Sequence, residues 1–124
     1  MKLHSCFSIK YGVLYPKELV EWAKEASYSW AFLADINSTG AALSFIREAK
    51  SKGVRPIVGA EIRNGMHIVA TVIARNNRGF HELNVFLSQY IQQEKHFPER
   101  LPHFSNCFVS YPITDSIIKL KSNE

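Results

Sequence analysis

The sequence predicts an α/β fold, a mostly parallel sheet with crossover helices and one hairpin. Three observations carry this. Apolar residues change period in a regular order, from short strand-like runs to helical spacing and back. Residues 30–35 form a continuous apolar run ending in an acid, as expected of a strand covered on both faces. Asn64-Gly65, placed between two apolar runs, signals a tight hairpin.

Taken in order, residues 1–7 read as a short first strand. Pro16 sits where the first turn of a helix accepts proline, and Leu19, Val20, Ala23 and Ala26 recur at helical spacing. After the second strand, Ala42, Phe45, Ile46 and Ala49 mark a second helix, closed by Gly53. Residues 55–62 form a third strand, with 66–74 as its hairpin partner. Asn76 or Asn77 caps a third helix, whose Phe80, Leu83, Phe86, Leu87 and Tyr90 line one face. Residues 94–104 carry two prolines and read as a surface loop. A strand at 106–111 and the start of a helix at 114–120 follow. Trp22 and Trp30 are expected in the core or between helices.

A chain of 124 residues suits one modest core, so 1–124 is treated as a single domain. Its 46% hydrophobic and 21% charged content excludes a disordered chain. The longest clean apolar run, 68–74, is far too short for a membrane helix. No signal peptide is readable, and the default expectation is cytoplasmic with no membrane partner. Cys6 and Cys107 lie far apart in apolar surroundings and are expected as buried free thiols. A net charge of +4 permits a polyanionic partner without requiring one.

In folds of this order the site lies at the C-terminal ends of the parallel strands. His4 ends the first strand, Asp35 the second and Glu61 the third, so three strands aim polar side chains at one rim.

The same residues carry a family resemblance. KLHSCFSIKYG, the segment PIVGAE at 56–61 and the frame A-x-N-x-x-G-F-x-x-L-x-x-x-L-S from Ala74 to Ser88 resemble the amino-terminal PHP (polymerase and histidinol phosphatase) domain of bacterial DNA polymerase III alpha subunits. The resemblance runs from Leu3 to about Pro112. It implies a partial PHP-type distorted β/α barrel, truncated from a longer polymerase chain. Active members hold metal ions with His, Asp and Glu and cleave phosphoesters, in some polymerases as a 3′–5′ exonuclease.

Position by position, the resemblance implies a degenerate site. The family's H-x-H falls on Lys2 and His4, so one histidine remains. A further ligand falls on Tyr11. The Asp-His pair falls on Asp35 and Ile36, which keeps the supporting aspartate and loses the ligand. The ligand glutamate is kept as Glu61. Vestigial metal binding would rest on His4 and Glu61. Ile36 offers no lone pair, and Tyr11 would coordinate only as phenolate. Lys2 shares the strand face of His4, and its ammonium is expected to replace a lost cation by pairing with Glu61 or Asp35.

Simpler roles exist for several residues. His4 also suits a hydrogen-bonded strand histidine, and Asp35 a cap for the following loop. Ser5 and Ser8 suit a turn. His67, His81, His96 and His103 lack metal-ligand spacing. Lys50, Lys52 and Arg55 suit a helix C-terminus more than a DNA contact. The sequence is therefore read as a structural PHP domain needing no cofactor, with the remainder of the polymerase chain, DNA and replisome or proofreading subunits as partners. The alternative is a phosphoesterase or 3′–5′ exonuclease with a reduced set of Zn, Mn or Mg.

Overall fold

The structure is a computed structural model that describes Lys2–Leu3 and residues 15–112. The elements are β1 (Lys2–Leu3), α1 (Pro16–Glu25), β2 (Trp30–Ile36), α2 (Ala42–Ser51), β3 (Arg55–Asn64), β4 (His67–Ala74), α3 (Asn77–Gln92) and β5 (Cys107–Ser110). They form one five-stranded sheet in the order β1-β2-β3-β4-β5. β1, β2 and β3 are parallel; β4 runs antiparallel to both β3 and β5. The α/β class agrees with the sequence, but the sheet is mixed rather than mostly parallel, because β5 returns antiparallel to β4 after α3. The expected helix at 114–120 lies outside the described residues.

Helical periodicity positions the core. α1 buries Pro16, Leu19, Val20 and Ala23, and α2 buries Ala42, Phe45 and Ala49. Of these, Leu19, Val20, Ala23, Phe45 and Ala49 pack with Ala31, Leu33 and Val54 in one cluster. α3 buries Leu83, Phe86 and Leu87 against Ala60, Ile62, Val69, Ala70 and Val72 in a second. Helix and sheet thereby exclude water from one face, the main driving force for their association.

The turn between β3 and β4 differs by one residue from the sequence expectation. Asn64 pairs with His67 inside the ladder, so the two-residue loop is Gly65-Met66. Gly65 has φ +60°, while Met66 is not among the positive-φ residues, as a type II′ turn requires. Asn64 is thereby free for another task. Its side-chain amide donates to the Phe97 carbonyl at 2.9 Å and accepts from the Phe97 N–H at 2.8 Å.

That clamp helps correct another expectation. The 94–104 segment is a loop, but Phe97, Leu101 and Phe104 are buried in the α3 core cluster. The Phe86 ring lies 5.5 Å from Phe97 and 5.4 Å from Phe104, within the range of favourable aromatic pairing. Apolar residues separated by prolines hid this fold-back in the sequence.

Trp22 and Trp30 are also corrected: they are 47% and 41% exposed. Trp22 falls outside the buried stripe of α1. Trp30 opens β2 at the sheet's end, on the face away from the helices. Cys107 is a free, half-buried thiol rather than a fully buried one.

Two glycines in the family-like segments are required by close approach. A Cβ on Gly59 would stand 2.0 Å from the Val72 carbonyl oxygen, and one on Gly79 2.0 Å from that of Asn106. Gly79 also donates its N–H to the Asn76 side chain at 2.9 Å, making Asn76 the N-cap of α3. The N-x-x-G spacing is thus a cap followed by a packing contact.

Candidate functional site

Asp35, next to last in β2, and Glu61, three residues before the end of β3, lie on neighbouring strands, and both are 1% exposed. The register separates them, however. Asp35 is opposite Ala60, and Ile36 is opposite Glu61. Side chains alternate along a strand, so Asp35 shares the helix-covered face with Leu33 and Ala31. Glu61 stands on the other face beside Ile36. The residue expected to have lost a ligand is therefore the neighbour of the residue expected to keep one.

Glu61 is held by a residue that the sequence reading did not single out. The Arg63 Nε donates to Glu61 Oε2 at 2.8 Å, and its NH2 group lies 2.6 Å from the same oxygen. Residues two apart on a strand share a face, which is the signal that was available. The lone pairs of that oxygen face a guanidinium fixed within the fold, since Arg63 is itself only 9% exposed. Lys2, the cation expected there, is described as a backbone position paired with Phe32. His4, Tyr11, Ser5, Ser8 and Cys6 lie outside the described residues.

Asn37 fixes this rim. Its backbone, at φ +51°, turns out of β2 and donates its N–H to the Glu61 carbonyl at 3.0 Å. Its side-chain amide donates to the Arg63 carbonyl at 2.9 Å and accepts from the Arg63 N–H at 2.8 Å. The amide thus copies a peptide group and extends the β2–β3 ladder past the end of β2. Two residues on, the Thr39 hydroxyl hydrogen-bonds the Asn84 side chain and ties the loop to α3.

A metal does not fit this rim as the described residues build it. Ile36 has no donor atom, and an oxygen of Glu61 is already charge-paired. Among the described residues no three His, Cys, Asp or Glu side chains are grouped as a metal site requires. His67 is 3.1 Å from Glu99 near the hairpin, while His81, His96 and His103 are exposed.

Residues 1–121 match the PHP domain family model, and the chain belongs to that family. Over 95 residues it is 28% identical to the DNA polymerase III subunit alpha of Pasteurella multocida (strain Pm70), covering 72% of this chain and 8% of the relative. Over 62 residues it is 40% identical to the error-prone DNA polymerase of Anaeromyxobacter dehalogenans (strain 2CP-C), covering 50% of this chain and 6% of the relative. The chain thus spans under a tenth of the length of these relatives.

Solved structures share the fold. An amidohydrolase from Chromobacterium violaceum superimposes with TM-score 0.60 at 22% identity, over 75% of this chain and 33% of that one. A putative metal-dependent phosphoesterase from Bifidobacterium adolescentis gives TM-score 0.53 at 18% identity, over 75% and 34%. No helix among the described residues is long and apolar enough to cross a membrane.

Proposed function

We propose that this chain is the PHP part of a DNA polymerase III alpha-type protein, working in the cytoplasm on DNA, in which the domain is a structural element. The supporting observation is the contact between Arg63 and Glu61, with Ile36 alongside. A carboxylate that would otherwise need a divalent cation is neutralised by a guanidinium from its own strand. Such a pair holds the rim together and occupies an oxygen that a cation would otherwise use. Lys2 contributes a second positive charge in this reading, and His4 and Glu61 are what remains of a metal site. The sheet would complete a distorted barrel with the remainder of the polymerase chain, which would also bring replisome subunits into reach.

The test is elemental analysis of the purified chain for zinc, manganese and magnesium, together with hydrolysis of bis-p-nitrophenyl phosphate. The expected result is substoichiometric metal and no hydrolysis above background when Mn²⁺ or Zn²⁺ is added. Stoichiometric metal that is lost together with activity in His4→Ala would instead establish a reduced-set phosphoesterase.

A further inference from the structure

Four exposed arginines and lysines and two exposed aromatics meet at the end of the sheet opposite the Glu61–Arg63 rim, while Tyr15, Lys17, Lys95 and Arg100 are exposed on other segments. Lys50 and Arg55 flank the α2–β3 turn, and Arg75 and Arg78 flank the start of α3; all four are exposed. Both turns lie at the N-terminal end of the parallel strands. Acids nearby are mostly engaged: Glu21 pairs with Lys52 at 3.7 Å, and Glu82 accepts from the backbone of Ser105 and Asn106. Glu25 ends α1 at the same end of the molecule.

The aromatics interleave with these cations. Trp30 on β2 is the register partner of Arg55 on β3, and the two line one depression with Ile57. Arg55, Ile57 and Arg75 line a second groove that continues from it. The Arg75 guanidinium carbon lies 5.0 Å from the centroid of the Phe108 ring, which is 59% exposed on β5. Across β2, β3, the residue after β4 and β5, the order is therefore aromatic, cation, cation, aromatic. A lipid surface or an acidic peptide needs only the charge. Flat rings open to solvent on either side of arginines also fit unstacked bases joined by phosphates.

We infer that this end of the sheet binds single-stranded nucleic acid, with Arg55 and Arg75 on phosphates and Trp30 and Phe108 stacking bases. The surface is remote from the rim discussed above, so its test stands whether or not a metal binds there.

The experiment is fluorescence anisotropy of a labelled oligothymidylate of about twelve nucleotides, titrated with the 124-residue chain at about 50 and about 200 mM salt. Arg55→Gln/Arg75→Gln is expected to weaken binding and to lower the log–log salt slope by about 1.4, roughly 0.7 for each phosphate contact on a single strand. Arg55→Lys/Arg75→Lys keeps the slope. Phe108→Ala weakens binding about five-fold or more with the slope unchanged. In a Trp22→Phe background, Trp30 emission is quenched on binding. Circular dichroism confirms that each variant is folded. Unchanged affinity and slope in the double glutamine variant would overturn the inference. So would equally tight binding of polyglutamate or of anionic phosphatidylglycerol vesicles that ignores Phe108→Ala, which marks a general polyanion or lipid surface.

Discussion

Arg63 grips a single oxygen of Glu61 from two residues along the same strand, at 2.6 and 2.8 Å, with both residues almost fully out of water. The pair lies where β4 bulges against β3, Val69 being the extra residue as the register steps from Ile62–Ala70 to Arg63–Ile68. Bulges re-aim side chains and strengthen local twist. Here the bulge accompanies a residue that turns its cation back along its own strand. Burial removes solvent screening, so each partner depends on the other far more than an exposed ion pair would.

Breaking the pair from one side is therefore costly. Arg63→Ala leaves Glu61 buried without this cation and is expected to lose about 3–5 kcal/mol in urea unfolding. Glu61→Gln/Arg63→Met, which removes both charges at similar volume, is expected to lose much less. A double-mutant cycle of Glu61→Gln, Arg63→Met and the two together measures the coupling. Additive losses from the two single substitutions would show that the contact contributes nothing.

Asn37 holds the strand that carries the pair. Asn37→Ala removes both side-chain bonds to Arg63 while leaving a non-glycine residue at φ +51°, so it is expected to cost about 1–3 kcal/mol. Asn37→Asp keeps the acceptor for the Arg63 N–H and loses the donor, so its loss is intermediate. Amide exchange at Arg63 reports this directly, accelerating in the alanine variant and less so in the aspartate one.

The glycines separate two kinds of cost. Gly79→Ala drives a Cβ into the Asn106 carbonyl, and backbone must move, with an expected loss of more than about 2 kcal/mol. At Gly53, φ is +73° and nothing lies within 4 Å of the added carbon, so alanine meets only left-handed strain of about 1–2 kcal/mol. Thermal unfolding of the two variants ranks them, and a larger loss at Gly53 would contradict the packing reading.

How much of this was legible depends on the range of the interaction. The strands and helices followed from periodicity, because burying one face imposes a repeat on the local sequence. The Asn76 cap and the end of α2 at Gly53 were readable for the same reason, since each satisfies backbone within one turn. The fold-back of Phe97, Leu101 and Phe104 was not, because their partner Phe86 lies on a preceding helix and no period links them. Trp22 and Trp30 misled because a large apolar ring suggests burial, while the adjoining stripe positions were already filled by Leu19, Val20 and Ala23. At the rim, Asp35 lies next to last in β2, while β3 runs on three residues past Glu61 to Asn64. That the two stand on opposite faces was not legible, because register between β2 and β3 cannot be read from either strand alone. Arg63 was within reach, two residues from Glu61 on the same strand, but it occupies none of the ligand positions that the resemblance assigns.

Cys107 links β5 to α3 through its thiol, which lies 3.1 Å from the Gly79 carbonyl oxygen and donates to it. Burial, reinforced by the Glu82 charge, raises its pKa from an ordinary 9.0 to about 11. In a Cys6→Ser background, iodoacetamide at pH 8 is expected to label the folded chain far more slowly than the urea-unfolded one. A folded state that favours the protonated thiol is fully stabilised below pH 9. That contribution declines as pH rises through about 11. Labelling at the unfolded rate would place the thiol in solvent.

Glu82 works in the opposite direction. Its carboxylate accepts from the Asn106 side chain at 3.0 Å and from the backbone N–H groups of Ser105 and Asn106 at 2.9 Å each. The Asn106 side chain is the leading cause, ahead of these backbone donors and the nearby His103, and the pKa falls below its ordinary 4.5. The folded state thus favours the charged form. The stabilisation is present in full above about pH 4.5 and is lost as pH falls through the lowered value. Acid should therefore loosen the turn at 105–106 and, with it, the Gly79–Asn106 contact that seats α3 against β5. Glu82→Gln is expected to flatten the acid limb of the stability curve, since glutamine does not titrate and its NH₂ end cannot accept. Urea unfolding of both proteins between pH 3 and 7 checks this; parallel curves for the two would show that the carboxylate charge plays no part in holding the turn.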